Sequence, residues 1–413
     1  MKTAVLIAEF NPLHNGHAAL IDRVRAELRP DALIVLLSGD FVQRGEPALI
    51  DKHTRARMAL LAGADLVLAL PSVYTVAPAE VYARGAVQTA AATGIADTLV
   101  FGSEAGSLAP LREIAGISET PEFRSALQEN LSQGISYPAA FQAAVQTALD
   151  GAGGNLASCL DSPNNILGVE YLRSIIHSGA ALTPVTCPRL PASDHIASAS
   201  DLRERIRCGA DISAFVPSYV SDLLREYRDT CSGVPLFADD LSAQVSYALQ
   251  QADRAELARL ADMSDDLAGR ILENRLKFYG FTSFANLIKV KAFSHARIRR
   301  SLIQLLLDIR REERDAMLEN RVTYLRVLGF RTAARGLLGR MGEAASAPLI
   351  VRGADYEKVC AAADPAISRD EDPVSSLAAR MLGIDLFADR LYQTLAFPPD
   401  LRAEAPARPP VIL

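Results

Sequence analysis

TAVLIAEFNPLHNGHAAL, residues 3–20, decides how the rest of this 413-residue chain is read. Ala4 to Ala8 is a short apolar run, the pattern of a strand buried on both faces. It breaks at Glu9-Phe10-Asn11-Pro12 into a loop carrying His14-Asn15-Gly16-His17, and a helix is expected from about His17. Free backbone N–H groups at a helix start favour an anion, and Gly16 lets a ligand approach the backbone closely, so this loop reads as a seat for a triphosphate. Two imidazoles there can donate to phosphate oxygens and stabilise charge on a phosphorus under attack. The spacing alone would also fit a metal pair or a helix cap. The strand in front of it and Asn11-Pro12 favour the nucleotide.

Further apolar runs at Ala32 to Leu37, Leu66 to Leu70, Thr98 to Phe101 and Leu182 to Cys187 predict more strands. They alternate with helical patterns at 18–28, 52–61, 80–93, 108–149 and 161–178, which predicts βαβ units and a parallel sheet. The expected fold class is α/β: a Rossmann-like parallel-sheet nucleotide-binding domain at 1–213, then a mostly α-helical domain at 214–396. Gly151 to Asn155 reads as a flexible connection. Ligands of such sheets bind beyond the carboxyl ends of the strands, where the loops Glu9 to His17, Ser38 to Arg44 and Gly102 to Glu104 are all expected.

Past Pro217 the signals are almost all helical, with Ile288 to Arg300 running into a long helix through Met317. Val322 to Leu328 and Leu349 to Val351 read as a small pair of strands around a glycine-rich helical segment. The proline-rich tail, 397–413, is expected to be extended and mostly unpacked. Lys289, Lys291, His295, Arg297, Arg299 and Arg300 form the densest cationic stretch, with no acid between Lys289 and Arg300. On a helix starting near Ser294, Arg297 and Arg300 share one side while Ile298 and Leu302 face inward. This is the candidate for contact with an RNA backbone.

Composition narrows the classes. No apolar run approaches the roughly 20 residues of a membrane helix, and the N-terminus does not read as a secretory signal, so a cytoplasmic protein is expected. Five scattered cysteines without CxxC spacing predict neither disulfides nor a cysteine-rich zinc site, and no metal ligands are assigned. A formal charge of −6 means that any nucleic-acid contact rests on a local patch.

NPLHNGH resembles the (H/T)xGH signature of the nucleotidylyltransferase superfamily, whose members attack the α-phosphorus of ATP and expel pyrophosphate. IAEFNPLHNGH, SGDFVQRGEPALIDKHTRARMAL, FGSE, SPNNILGVEY and IASASDLR, in this order, resemble the bacterial tRNA(Met) cytidine acetate ligase family. The likeness is strong over residues 1–210 and loose beyond. It implies activation of acetate by ATP to acetyl-adenylate, then attack by N4 of the wobble cytidine of elongator tRNA(Met). Carried over, His14 and His17 are catalytic. ATP, with Mg2+ carried on it, is held by Ile7, Ala8, Glu9, Phe10, Asn11, Pro12, Gly16 and Leu20, by Gly102, by Asn164 or Asn165, and by Arg189. Ser198 and Ser200, with Arg203, stand where the superfamily contacts the β- and γ-phosphates. Asp40 and Lys52 are candidate catalytic residues, the carboxylate to orient the acceptor amine or a magnesium-bound water, the cation to hold carboxylate or RNA phosphate; the plainer alternative is a charged helix start. Lys289, Lys291, Arg297, Arg299 and Arg300 become the tRNA-binding set. The loop from Leu190 to His195 is shorter than the family pattern, which leaves the role of His195 open. Absence of tryptophan favours recognition of tRNA shape over extensive base stacking. Two rival readings are an adenylyltransferase that joins AMP to a small phosphorylated acceptor and a nucleotide-sensing RNA-binding protein without turnover. The oligomeric state is not legible.

Overall fold

The structure, a computed structural model, describes residues 1–133, 137–149, 156–361 and 373–413. The connection read at Gly151 to Asn155 lies outside the described residues. The strands are β1 (Thr3–Ala8), β2 (Ala32–Ser38), β3 (Phe41–Val42), β4 (Glu46–Pro47), β5 (Leu66–Leu70), β6 (Thr98–Ser103), β7 (Thr183–Pro188), β8 (Leu325–Phe330), β9 (Leu349–Ile350) and β10 (Val411–Ile412). β3 and β4 form a short antiparallel hairpin of their own.

β1, β2, β5, β6 and β7 are parallel, in the spatial order β5-β2-β1-β6-β7. Val5 pairs with Ile34 on one side and with Leu99 on the other. β2 and β5 are buried throughout, as runs of Leu, Ile, Val and Ala covered on both faces should be. Successive strands move one way from β1 and the other way from β6. The strand order therefore reverses between β1 and β6, and the loop after β1 opens at that point.

Three expectations change. β8 and β9 do pair, but β8 also joins β5 antiparallel and β10 parallel, so the expected small pair is an extension of the main sheet. β5 would otherwise present an open edge of unpaired N–H and C=O groups. The tail is extended yet packed: β10 supplies the strand on β8, and Arg408 lies 2.9 Å from Asp51. The long helix through Met317 is two helices, His295–Leu307 and Arg311–Glu319, separated at Asp308, whose φ is 51°. Ser294 caps the first of them, where the sequence places its start.

A helix at Pro373–Ala396 crosses back to the first half and reaches Lys52. The turn between β3 and β4 packs so closely on the His295–Leu307 helix that a Cβ at Gly45, φ +73°, would stand 2.3 Å from the backbone nitrogen of Arg300. Glycine is required there for both reasons.

Candidate functional site

A cleft of about 1440 Å³ runs over the carboxyl ends of β1 and β6. His14 is the N-cap of the Asn15–Arg23 helix; its Nδ1 accepts from Gly16 N–H at 3.1 Å. His17 Nδ1 accepts from His14 N–H at 3.4 Å, and the two rings stack with centroids 3.6 Å apart. Burial, aided by the Arg189 charge, pushes His14 down to about 4. Burial, then His14 and Arg189, holds His17 well below the usual histidine range. Both rings are therefore neutral at pH 7. With each Nδ1 accepting a backbone N–H, each proton sits on Nε2, leaving two donors without counter-charge in a cleft wall.

This has a stability consequence. Unfolded histidines titrate near 6.5, so the stabilisation from keeping these rings neutral is complete above that pH and is lost as pH falls toward the folded values. His53, lowered by burial and then by Arg408 and Lys52, acts in the same direction. Urea-unfolding free energy is expected to fall by roughly 3 kcal/mol from His14 alone between pH 6.5 and 4. A urea midpoint flat over that window would contradict it.

The other expected nucleotide contacts gather in the same cleft. Ile7, Ala8, Glu9, Phe10, Asn11, Gly16, Leu20, Gly102, Asn164, Arg189, Ser198 and Ser200 line it. Gly102 lies beneath Arg189; an added Cβ would meet the arginine's Cγ at 3.4 Å. Asn164 donates to Glu104 at 2.6 Å, and Arg189 approaches the same carboxylate at 3.6 Å. Ser200 Oγ accepts from Arg44 at 3.2 Å and from Arg203 at 3.4 Å. Arg203 also donates to Asn11 O at 2.9 Å and pairs with Glu46 at 2.6 Å, which ties the serine-rich helix start to the loop after β1. Ser198 is the N-cap, in a reciprocal box with Asp201.

Comparison with known proteins gives the family of the chain. The family model for the HIGH Nucleotidyl Transferase matches residues 1–405. The tRNA(Met) cytidine acetate ligase of Syntrophomonas wolfei is 33% identical over 405 residues, covering 95% of this chain and 94% of that protein. That of Syntrophotalea carbinolica is 34% identical over 408 residues, covering 96% and 94%. The chain belongs to the tRNA(Met) cytidine acetate ligase family. Among solved structures, Thermotoga maritima TmcAL bound with α-thio ATP superposes with a TM-score of 0.92 at 28% identity, both chains covered in full. The apo form of the same protein gives 0.93.

Not every residue read from the family's motifs reaches the cleft. Pro12 and Asn165 do not line it. Asn165 is buried and structural: Oδ1 accepts from Ala105 N–H at 2.9 Å, and Nδ2 donates to Cys159 O at 2.9 Å. His195 is exposed, and its carbonyl receives Asn15 Nδ2 at 2.9 Å.

Asp40 and Lys52 stand behind the site in a setting different from the expected one. Lys52 Nζ lies 2.8 Å from Asp40 and also contacts Asp389, with all three side chains nearly inaccessible. Burial opposes ionisation of Asp40, but the Lys52 and Arg55 charges prevail and hold its carboxyl below the usual range. Burial, with Arg326 behind it, lowers Lys52 to about 8. Arg55, also fully buried, donates to the carbonyls of Glu9 and Ser38 at 2.8 and 2.9 Å. That guanidinium fastens the ends of β1 and β2 together beneath the cleft.

The cationic stretch divides. Lys289 and Lys291 are exposed outside the cleft, whereas Arg297, Arg299 and Arg300 line it together with Arg311 and Arg314. Arg300 pairs with Asp262 at 2.5 Å and Arg314 with the same carboxylate at 3.4 Å; Arg297 donates to Asp262 O at 3.0 Å. Arg299 is less engaged, 3.6 Å from Glu46. Arg311 and Arg314 escaped the sequence reading because a mixed-charge helix is ordinarily a solvated face, and Asp262 because a lone acid in a turn carries no signal. Among the described residues, no group of three or more His, Cys, Asp or Glu stands placed to hold a metal ion, and no helix is long and apolar enough to cross a membrane.

Proposed function

We propose that this chain is a cytoplasmic ATP-dependent ligase that activates acetate as acetyl-adenylate and acetylates N4 of the wobble cytidine of elongator tRNA(Met). The observation that carries this is a single cleft holding two neutral imidazoles on one wall and an arginine cluster on the other. A carboxylate oxygen of acetate attacks the α-phosphorus as the bond to pyrophosphate breaks. The Nε2–H groups of His14 and His17 donate to phosphate oxygens that gain charge. Gly102, Asn164 and Arg189 hold the nucleoside side, and Ser200 with Arg203 the outer phosphates, which bring their own Mg2+. N4 then attacks the acyl carbon, the C–O bond to AMP breaks, and N4 releases a proton. Residues 1–213 carry the ATP chemistry, and 214–396 supply most of the RNA contacts.

The deciding assay incubates the protein with labelled acetate, ATP and unmodified tRNA(Met). Acid-stable label in the RNA is expected; AMP transfer to a phosphorylated metabolite without label in the RNA overturns the reading. Arg299 has the guanidinium of the wall with the weakest internal partner. Arg299→Ala is expected to weaken tRNA binding and to reduce the log–log salt slope by about 1, with ATP affinity unchanged. A salt slope identical to that of the parent would remove Arg299 from the RNA interface.

A further inference from the structure

Right-handed crossovers from β1 through β2 to β5 put the Asn15–Arg23 and Lys52–Leu61 helices on one face of the sheet. The return from β5 through β6 to β7 puts Ala79–Ala92 and Pro163–Ser178 on the other. The cleft straddles both faces. On the second it forms an arm lined by Glu80, Tyr82, Phe101, Tyr137, Glu170 and Tyr171. Phe101 and Tyr171 are tilted together with centroids 5.3 Å apart.

The charge of this arm is opposite to that of the arginine wall. Its neighbouring cation, Arg173, is already bound to both oxygens of Glu170, at 3.0 and 2.9 Å, and lies 3.4 Å from Glu119. Burial pushes Glu170 up to about 7, with the Glu80 charge adding to it and Arg173 opposing. The Glu9 carboxylate bears on the hydroxyls of both Tyr82 and Tyr171. An acetate or a phosphate would meet like charge here. Tyr82, Phe101, Tyr171 and Glu170 are nearly inaccessible and form the backing of the arm, so a planar ring carrying a hydrogen-bond donor would meet the exposed Tyr137 ring and the Glu80 carboxylate. Cytosine fits, since its N4 amino group is a donor that carboxylates accept and unpaired RNA bases stack on aromatic side chains.

We propose, resting on the ligase reading above, that this arm receives the cytosine ring of the acceptor nucleotide, turned out of its stack, with its N4 edge toward the Glu80 carboxylate. The arginine wall then holds the flanking phosphates, and one cleft brings the base and the activated acyl group together.

Tyr137 and Glu80 are exposed at the arm, so replacing them leaves the core intact. Tyr137→Ala, Tyr137→Phe and Glu80→Gln, each checked for an unchanged urea midpoint, are compared with the parent in two reactions: acetate-dependent ATP–pyrophosphate exchange without RNA, and acetyl transfer to a tRNA(Met) transcript. Transfer by Tyr137→Ala and Glu80→Gln is expected to fall tenfold or more while exchange stays within twofold, and Tyr137→Phe, which keeps the ring face, is expected to transfer within threefold of the parent. Transfer unaffected in both variants, or exchange falling in parallel with transfer, overturns the arm as a base site. A parent protein with neither acetate-dependent exchange nor label in RNA would instead overturn the ligase reading itself.

Discussion

His17→Ala is expected to lower the turnover of acetate-dependent ATP–pyrophosphate exchange by about 10²–10³-fold, the usual cost of removing one preorganised donor to a developing oxyanion. The Michaelis constant for ATP is expected to move little, because a neutral donor contributes most where charge builds up in the transition state. The ring is held from three directions: stacked on His14, edge-on to Phe10 at 5.1 Å, and accepting the His14 N–H. That leaves its Nε2–H in one orientation, which is what makes the donor effective. Losing the ring also loosens the helix start by about 1 kcal/mol, as removal of a cap ordinarily does. Unchanged tRNA affinity therefore serves as the control for folding. Exchange within threefold of the parent would mean that this imidazole does not face the α-phosphate. His14→Ala should behave alike, and the double variant should lose less than the product of the two, since each ring positions the other.

The place of residues 9–17 on the cleft was legible because a strand end, a glycine and two histidines at a helix start are all readable in the sequence, although the same spacing also fits the helix cap that His14 forms. The parallel sheet also followed from alternating apolar runs, and β1, β2, β5, β6 and β7 stand where those runs lie. The failures share a physical cause: they depend on which partner arrives from far along the chain. Asn164 and Asn165 are adjacent, and motif matching cannot say which side chain faces the cleft; the packing of Cys159 and Ala105 decides it. Helical periodicity put Arg297 and Arg300 on one face, but not what that face meets, which is Asp262 at the cleft. β8 looked like half of a local pair because its partner β5 lies more than 250 residues earlier. Lys52 looked like a reagent because a lysine after a loop at a strand end usually finds solvent or substrate. Its second carboxylate comes from 337 residues further on.

That distant carboxylate sets the largest expected loss of stability: Asp389→Ala should cost about 3–5 kcal/mol, the range for stripping one partner from a buried ionic cluster. Asp389 contacts Lys52 through one oxygen and Arg326 through the other at 2.8 Å, and all these side chains are almost fully buried. Without it, among the described residues Lys52 keeps only Asp40 and Arg326 keeps no carboxylate partner, although its guanidinium still lies 5.5 Å over the Tyr356 ring. The complementary change should be much milder. Lys52→Met leaves Asp40 facing Arg55 at 3.8 Å and Asp389 paired with Arg326, so no acid is stranded, and a cost below about 2 kcal/mol is expected. Urea unfolding of the two variants tests this ordering, and equal losses would show that the cluster acts as one indivisible unit. The same pair separates structure from chemistry. If Lys52 holds the Pro373–Ala396 helix against the helix after β2, its methionine variant keeps exchange within threefold of the parent. If the ammonium works on a substrate, exchange collapses while the urea midpoint hardly moves. The burial of Nζ between two carboxylates, behind rather than within the cleft wall, favours the first outcome.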